Sequence, residues 1–202
     1  PPLRRPPRFL LAAAGLRVAC AGEATEEAAP DQMAANDADA LGCYIARGTM
    51  AEAQQRPSPL TETRFSVGGS DALLCYGAPS ARGREIMGGL VVFGQPERIG
   101  ANEPTTLHLA APASVGGVTV QPGSYSIYAI PGPDEWQLFV NSSWARWGIP
   151  IDQGVRASDV GSFTVVPEET DEFVETLRYV WEDGALLLEW ENTRVRIPVT
   201  GA

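Results

Sequence analysis

Thr176–Val199, TLRYVWEDGALLLEWENTRVRIPV, is the stretch that decides the fold. Leu177, Tyr179 and Trp181 fall on one side of an extended chain, with Thr176, Arg178 and Glu182 as polar intervals. After Asp183-Gly184 the period resumes in Leu186, Leu188 and Trp190, with Glu189 and Glu191 opposite. It resumes again beyond Asn192-Thr193 in Val195, Ile197 and Val199, with Arg194 and Arg196 outward. A period of two belongs to a strand that buries one face. Asp-Gly between two such runs marks a hairpin. The stretch therefore predicts an antiparallel meander of three strands.

Upstream, Ser124–Ile130 and Glu135–Asn141 flank Pro131-Gly132-Pro133-Asp134 and predict a second hairpin. Shorter strands are expected at Cys43–Ala46, Thr63–Val67, Ala72–Tyr76, Thr105–Ala110, Val118–Val120 and Ser162–Val166. No window of twelve residues in this part keeps a helical period. Many short strands, punctuated by the chain's 21 glycines and 17 prolines, predict an all-β fold. The expected form is an antiparallel β-sandwich, jelly-roll-like, with short loops and little helix, filling residues 42–202 as one domain.

The amino terminus reads as an address. Arg4, Arg5 and Arg8 precede the apolar run Phe9–Leu16, and Arg17-Val18-Ala19-Cys20 closes it. A basic start, a short apolar run and small residues at the break mark an export signal over residues 1–20. Val18-Ala19-Cys20 resembles a bacterial lipobox, whose cysteine is lipidated, although Arg17 stands where an aliphatic residue is usual. The expected location is the periplasm or the outer membrane, with the extracellular space as an alternative, and the lipid on Cys20 is the only membrane contact expected. Residues 21–41 are small and acidic and cannot bury enough surface to fold alone, which predicts a solvated tether.

Composition excludes several chemistries. All 15 basic residues are arginine, so lysine nucleophiles, Schiff bases and a P-loop lysine are ruled out. Histidine occurs once, at His108, which excludes a multi-histidine metal site. No metal or cofactor is implied. With 25 acidic residues the formal net charge is −10, a surface that repels nucleic-acid phosphates. The remaining cysteines, Cys43 and Cys75, form either a disulfide, as an exported pair usually does, or two buried thiols.

The densest polar chemistry lies between Tyr76 and Leu109. Arg98 and Glu103 could pair across a turn closed by Gly100, with Asn102 bonding the backbone. Alternatively, Arg82, Arg84 and Arg98 could converge on an anionic or polyhydroxylated small molecule whose hydroxyls Asn102 and Glu103 would read. A third reading is a hydrolase with Glu103 as general base and His108 or Glu85 as acid, but no G-x-S-x-G elbow accompanies them. Trp144 and Trp147, in the loop Ser142–Pro150 beside Arg146, could form a carbohydrate platform or a plain lid. A binding or structural role fits these residues better than catalysis does.

Several of the same residues carry a resemblance. Tyr76-Gly77-Ala78-Pro79-Ser80, Arg82-Gly83-Arg84-Glu85-Ile86-Met87-Gly88-Gly89-Leu90-Val91 and Arg98-Ile99-Gly100-Ala101-Asn102-Glu103 follow one another, with Thr105-Thr106-Leu107 after them. Gly123-Ser124-Tyr125-Ser126, Ile130-Pro131, Trp136, Asn141, Trp147-Gly148 and Leu188-Glu189-Trp190-Glu191 continue the series. The order resembles the bacterial DUF2911 family over about residues 57–199. The resemblance implies an exported, often lipid-anchored protein with a β-rich domain, and it implies no activity.

Overall fold

Alternation in the sequence becomes two antiparallel sheets packed face to face. The computed structural model describes residues 41–202, so the leader, Cys20 and all but the end of the tether lie outside the described residues. The larger sheet contains β1 (Leu60–Val67), β2 (Ser70–Gly77), β3 (Thr105–Leu109), β6 (Gly123–Ile130), β7 (Trp136–Asn141) and β8 (Asp159–Val165), in that spatial order. The smaller runs β5 (Val118–Val120), β4 (Ala113–Val115), β10 (Ala185–Gly201), β9 (Glu168–Glu182). Leu74, Leu107, Ile127 and Leu138 of the first sheet meet Leu177, Leu188, Val195 and Ile197 of the second in one core. Each such side chain contributes roughly 1.5–3 kcal/mol by leaving water. The expected all-β sandwich is what forms.

The three-strand meander is corrected to two long strands. The Asp183-Gly184 hairpin joins β9 to β10, but Asn192-Thr193 is no turn. The chain runs through it as a bulge, with register shifts on both sides of Glu191 and Glu191 itself at φ 57°. Beyond the bulge, Val199–Gly201 change partner from β9 to β4. The expected strand Val118–Val120 forms as β5, paired through the Gly116-Gly117 turn with β4, whose three residues are too few for their alternation to stand out in the sequence. Cys43–Ala46 is not a strand either. It is followed by the one-turn helix α1 (Met50–Gln54), started by a Thr49/Glu52 capping box. A second turn, α2 (Gln153–Arg156), precedes β8 and is capped by Asp152.

The stretch between β2 and β3 closes one end of the sandwich. Pro79 and Ala81 bond the smaller sheet: Ala81 N–H donates to Glu175 O at 2.7 Å, and Leu177 N–H donates to Pro79 O at 2.9 Å. The chain then returns to the larger sheet, where Glu97 and Ala129 exchange backbone bonds of 2.7 and 2.8 Å. Between these anchors Ile86 and Met87 give their N–H groups to the Glu191 carboxylate at 3.1 and 3.2 Å. Ile99 sits at φ 45°, a costly conformation for a β-branched residue. Its carbonyl accepts the hydroxyls of Tyr179 (2.9 Å) and Thr105 (3.1 Å), which hold it there. The segment is a lid that ties sheet to sheet.

Candidate functional site

Strand alternation puts Thr106 and His108 on the outer face of the larger sheet, opposite the core-facing Leu107 and Leu109. Both are nevertheless buried, because two segments lie over that face. One is the amino-terminal run 41–49, held by the Cys43–Cys75 disulfide. The other is the loop after β7, whose Ser143 carbonyl accepts the Ser126 hydroxyl at 3.0 Å. Trp144 of that loop stands edge-on to His108 and to Tyr44, each with ring centroids at 5.6 Å. His108 Nδ1 is 2.7 Å from Ser124 Oγ and Nε2 is 3.1 Å from Thr106 Oγ1. With both nitrogens on hydroxyls and no carboxylate beside it, burial alone lowers its pKa to about 4.

Glu103, 3% exposed, pairs with Arg56 and not with Arg98. Its Oε2 accepts Arg56 Nη1 at 2.6 Å and its Oε1 accepts Ala46 N–H at 3.1 Å. Arg56 also donates to the Arg47 carbonyl, and its guanidinium lies 5.8 Å from the Trp147 ring, which carries Arg47 over it at 4.2 Å. One buried carboxylate thus fastens the amino-terminal segment to the sandwich. Arg98, the partner expected from sequence, instead donates to Gly100 O (3.3 Å) and Asn102 O (3.4 Å), and burial lowers its pKa. It is enclosed on one side by Gly148. A Cβ there would stand 2.8 Å from Arg98 Cδ and 2.5 Å from Asn102 O, so only glycine lets the loop 142–150 approach.

The model of one protein family matches residues 58–199 of this chain. The chain belongs to the DUF2911 family, described as a protein of unknown function. No curated protein and no solved structure matches it.

Within this DUF2911 domain the residues singled out from sequence divide into groups. Arg98, Asn102, Glu103, Trp147 and, through the covering loop, Trp144 and His108 lie along one connected patch. Asn102 Nδ2 donates to Ser58 O at 2.9 Å and its carbonyl accepts Gly148 N–H at 2.9 Å. Arg82 and Arg84 are exposed on the lid: Arg82 reaches Pro57 O at 3.0 Å, and Arg84 folds back on Ser80 O and Ala81 O at 2.7 and 2.9 Å. All three guanidinium groups thus bond backbone carbonyls, and Arg82 and Arg84 have none in common with Arg98. Glu103 and His108 share no hydrogen bond, since each is spent on other partners. Glu85 is exposed on the lid. Among the described residues no three His, Cys, Asp or Glu side chains gather as metal ligands. Sequence reading missed Tyr44, Arg47 and Arg56. Their partners lie far along the chain, and no local pattern links Arg56 to a carboxylate at position 103.

Proposed function

We propose that this DUF2911 protein is an exported module tethered to the cell envelope through lipidated Cys20, with a binding or structural role in place of a catalytic one. The observation that carries this reading is the fastening of residues 41–56, where the tether joins the domain. The Cys43–Cys75 bond ties that junction to β2, and the Ala46–Glu103 bond and the Arg56–Glu103 ion pair tie it to the segment that leads into β3. A pull on the tether is received by the sheet and not by a fraying terminus. The same bonds speak against a hydrolase built on Glu103 and His108, because the carboxylate is neutralised by Arg56 and the imidazole is saturated by hydroxyls. A polar, anionic or carbohydrate ligand at Arg98, Asn102 and Trp147 would have to displace the internal bonds of those groups and the Arg47 guanidinium over Trp147.

The test is fractionation of cells fed a labelled fatty acid. The intact chain should carry label and sediment with membranes, and Cys20→Ser should appear unlabelled in the soluble fraction. An unlabelled wild-type chain, or a Cys20→Ser chain that still sediments, overturns the tether.

A further inference from the structure

The lid does not fill the space beneath it. Behind Met87 and Trp136 lies a chamber of about 10 Å³, also lined by Glu97, Leu188 and Trp190. That volume takes one water-sized group. The same Met87 and Trp136 wall an outer cleft of about 330 Å³, completed by Phe93, Glu168, Glu169 and Asn192. This is the size of a small-molecule site.

The polar groups of this cleft are unfinished in a consistent way. Trp190 is 4% exposed, and its Nε1–H is the single buried side-chain polar atom among the described residues with no hydrogen-bond partner. A buried donor left so carries its full desolvation penalty, which an oxygen acceptor would relieve. The Glu97 carboxyl accepts one hydrogen bond, from the Arg98 backbone N–H to Oε1 at 3.1 Å, and desolvation of this partly buried group pushes it above the usual carboxylate range. The charged residues lining both spaces are all acidic: Glu97, Glu168 and Glu169. Glu168 stands opposite Arg194 in the ladder and Glu169 opposite Thr193, and neither carboxylate makes an ion pair among the described residues. Carboxylates beside aromatic faces attract organic cations and repel anions. The unmet indole N–H adds a need for a small oxygen, and the chamber limits its size to a hydroxyl.

We propose that the lid cleft binds a small hydroxylated organic cation, its ammonium group against Phe93 and Trp136 and facing Glu169. The hydroxyl enters the chamber past Met87, accepts from Trp190 Nε1–H and donates to Glu97. Met87 is the flexible member of the shared wall, an unbranched side chain that can swing aside.

This assignment rests on the cleft alone and not on the tether. Purified chain is titrated with choline at fixed ionic strength, followed by calorimetry and tryptophan fluorescence. The neutral isostere 3,3-dimethylbutan-1-ol and the hydroxyl-free tetramethylammonium serve as comparisons. Choline should bind saturably, with each comparison compound weaker by about tenfold. Glu169→Gln, an exposed change that leaves the core untouched, should weaken choline several-fold. Trp190→Phe should erase the advantage of choline over tetramethylammonium, and Glu97→Gln serves the same purpose should the tryptophan variant not fold. No choline binding, equal binding of the neutral alcohol, or undiminished binding by Glu169→Gln overturns the proposal. A wild-type chain that takes up no fatty-acid label in cells yet binds choline when purified overturns only the tether, and a labelled chain indifferent to choline overturns only this assignment.

Discussion

His108 shows how one residue can combine a polar sequence signature with a structural role. Its folded pKa of about 4 lies below the value near 6.5 of an unfolded chain, so between those values the unfolded state binds more protons. Stability should therefore be full above pH 6.5 and fall with pH toward 4, by about 3 kcal/mol at most. His108→Gln should flatten that part of a stability-versus-pH curve from urea melts at fixed temperature, and an unchanged slope would show that another group is responsible. Glu103 makes the complementary case. Glu103→Gln removes the charge that Arg56 faces and should cost about 1–3 kcal/mol, discounted for the partial exposure of Arg56. In a double-mutant cycle with Arg56→Met the two effects should fall short of additive. Both residues stood out in the sequence, His108 as the chain's one histidine, between two leucines, and Glu103 within its densest polar stretch. Their partners did not, because Arg56 precedes Glu103 by 47 positions and only the folded sheet places them together.

Among the elements, the amino-terminal staple and the lid are the parts whose stability is separable from the core. Cys43 and Cys75 are 32 positions apart, a loop whose closure is worth roughly 4 kcal/mol in the chain-entropy model. Cys43→Ser/Cys75→Ser should lower the thermal midpoint and open residues 41–58 to proteolysis before global unfolding. Cleavage at wild-type rates would mean that the Glu103 bonds suffice without the disulfide. The lid hangs on Glu191, which holds Ile86 and Met87 from a bulge at positive φ. Glu191→Ala should raise amide exchange across 84–92 while leaving β10 protected, and exchange that rises equally in both would show that the bulge and not the lid has failed. The strands that alternate over five residues or more were legible from their period. The missing turn at Asn192-Thr193 was not, because a bulge keeps the chain in the sheet where polar residues suggest a reversal.

At the scale of the whole molecule, Glu189 links the exposed surface to the fold. Burial pushes its carboxyl up, but hydrogen bonds from Arg178 (2.8 Å) and Arg194 (2.7 Å) outweigh this and hold the pKa below the usual range. A depressed acid contributes its stability above the unfolded pKa, near 4.3, and loses it as pH falls through the folded value. Glu189→Gln should thus be less stable than wild type at neutral pH and converge with it in acid, where wild type loses the same contribution. Denaturant melts at neutral and acid pH distinguish this from a plain loss of packing, which would persist at both. For the chain as a whole, period-two alternation and turn residues determined an antiparallel sandwich, because each strand must bury one face and its sequence records which. The residue counts, with one histidine and arginine as the whole basic complement, bounded the chemistry in the same local way. Only the tertiary structure decided that Glu103 meets Arg56, that the Tyr76–Leu109 stretch spans from one sheet to the other, and that Trp190 ends beside Glu97 under the lid. Those pairings depend on sheet order and on which loop covers which face, and side chains far apart along the chain carry no mark of the neighbour they will find.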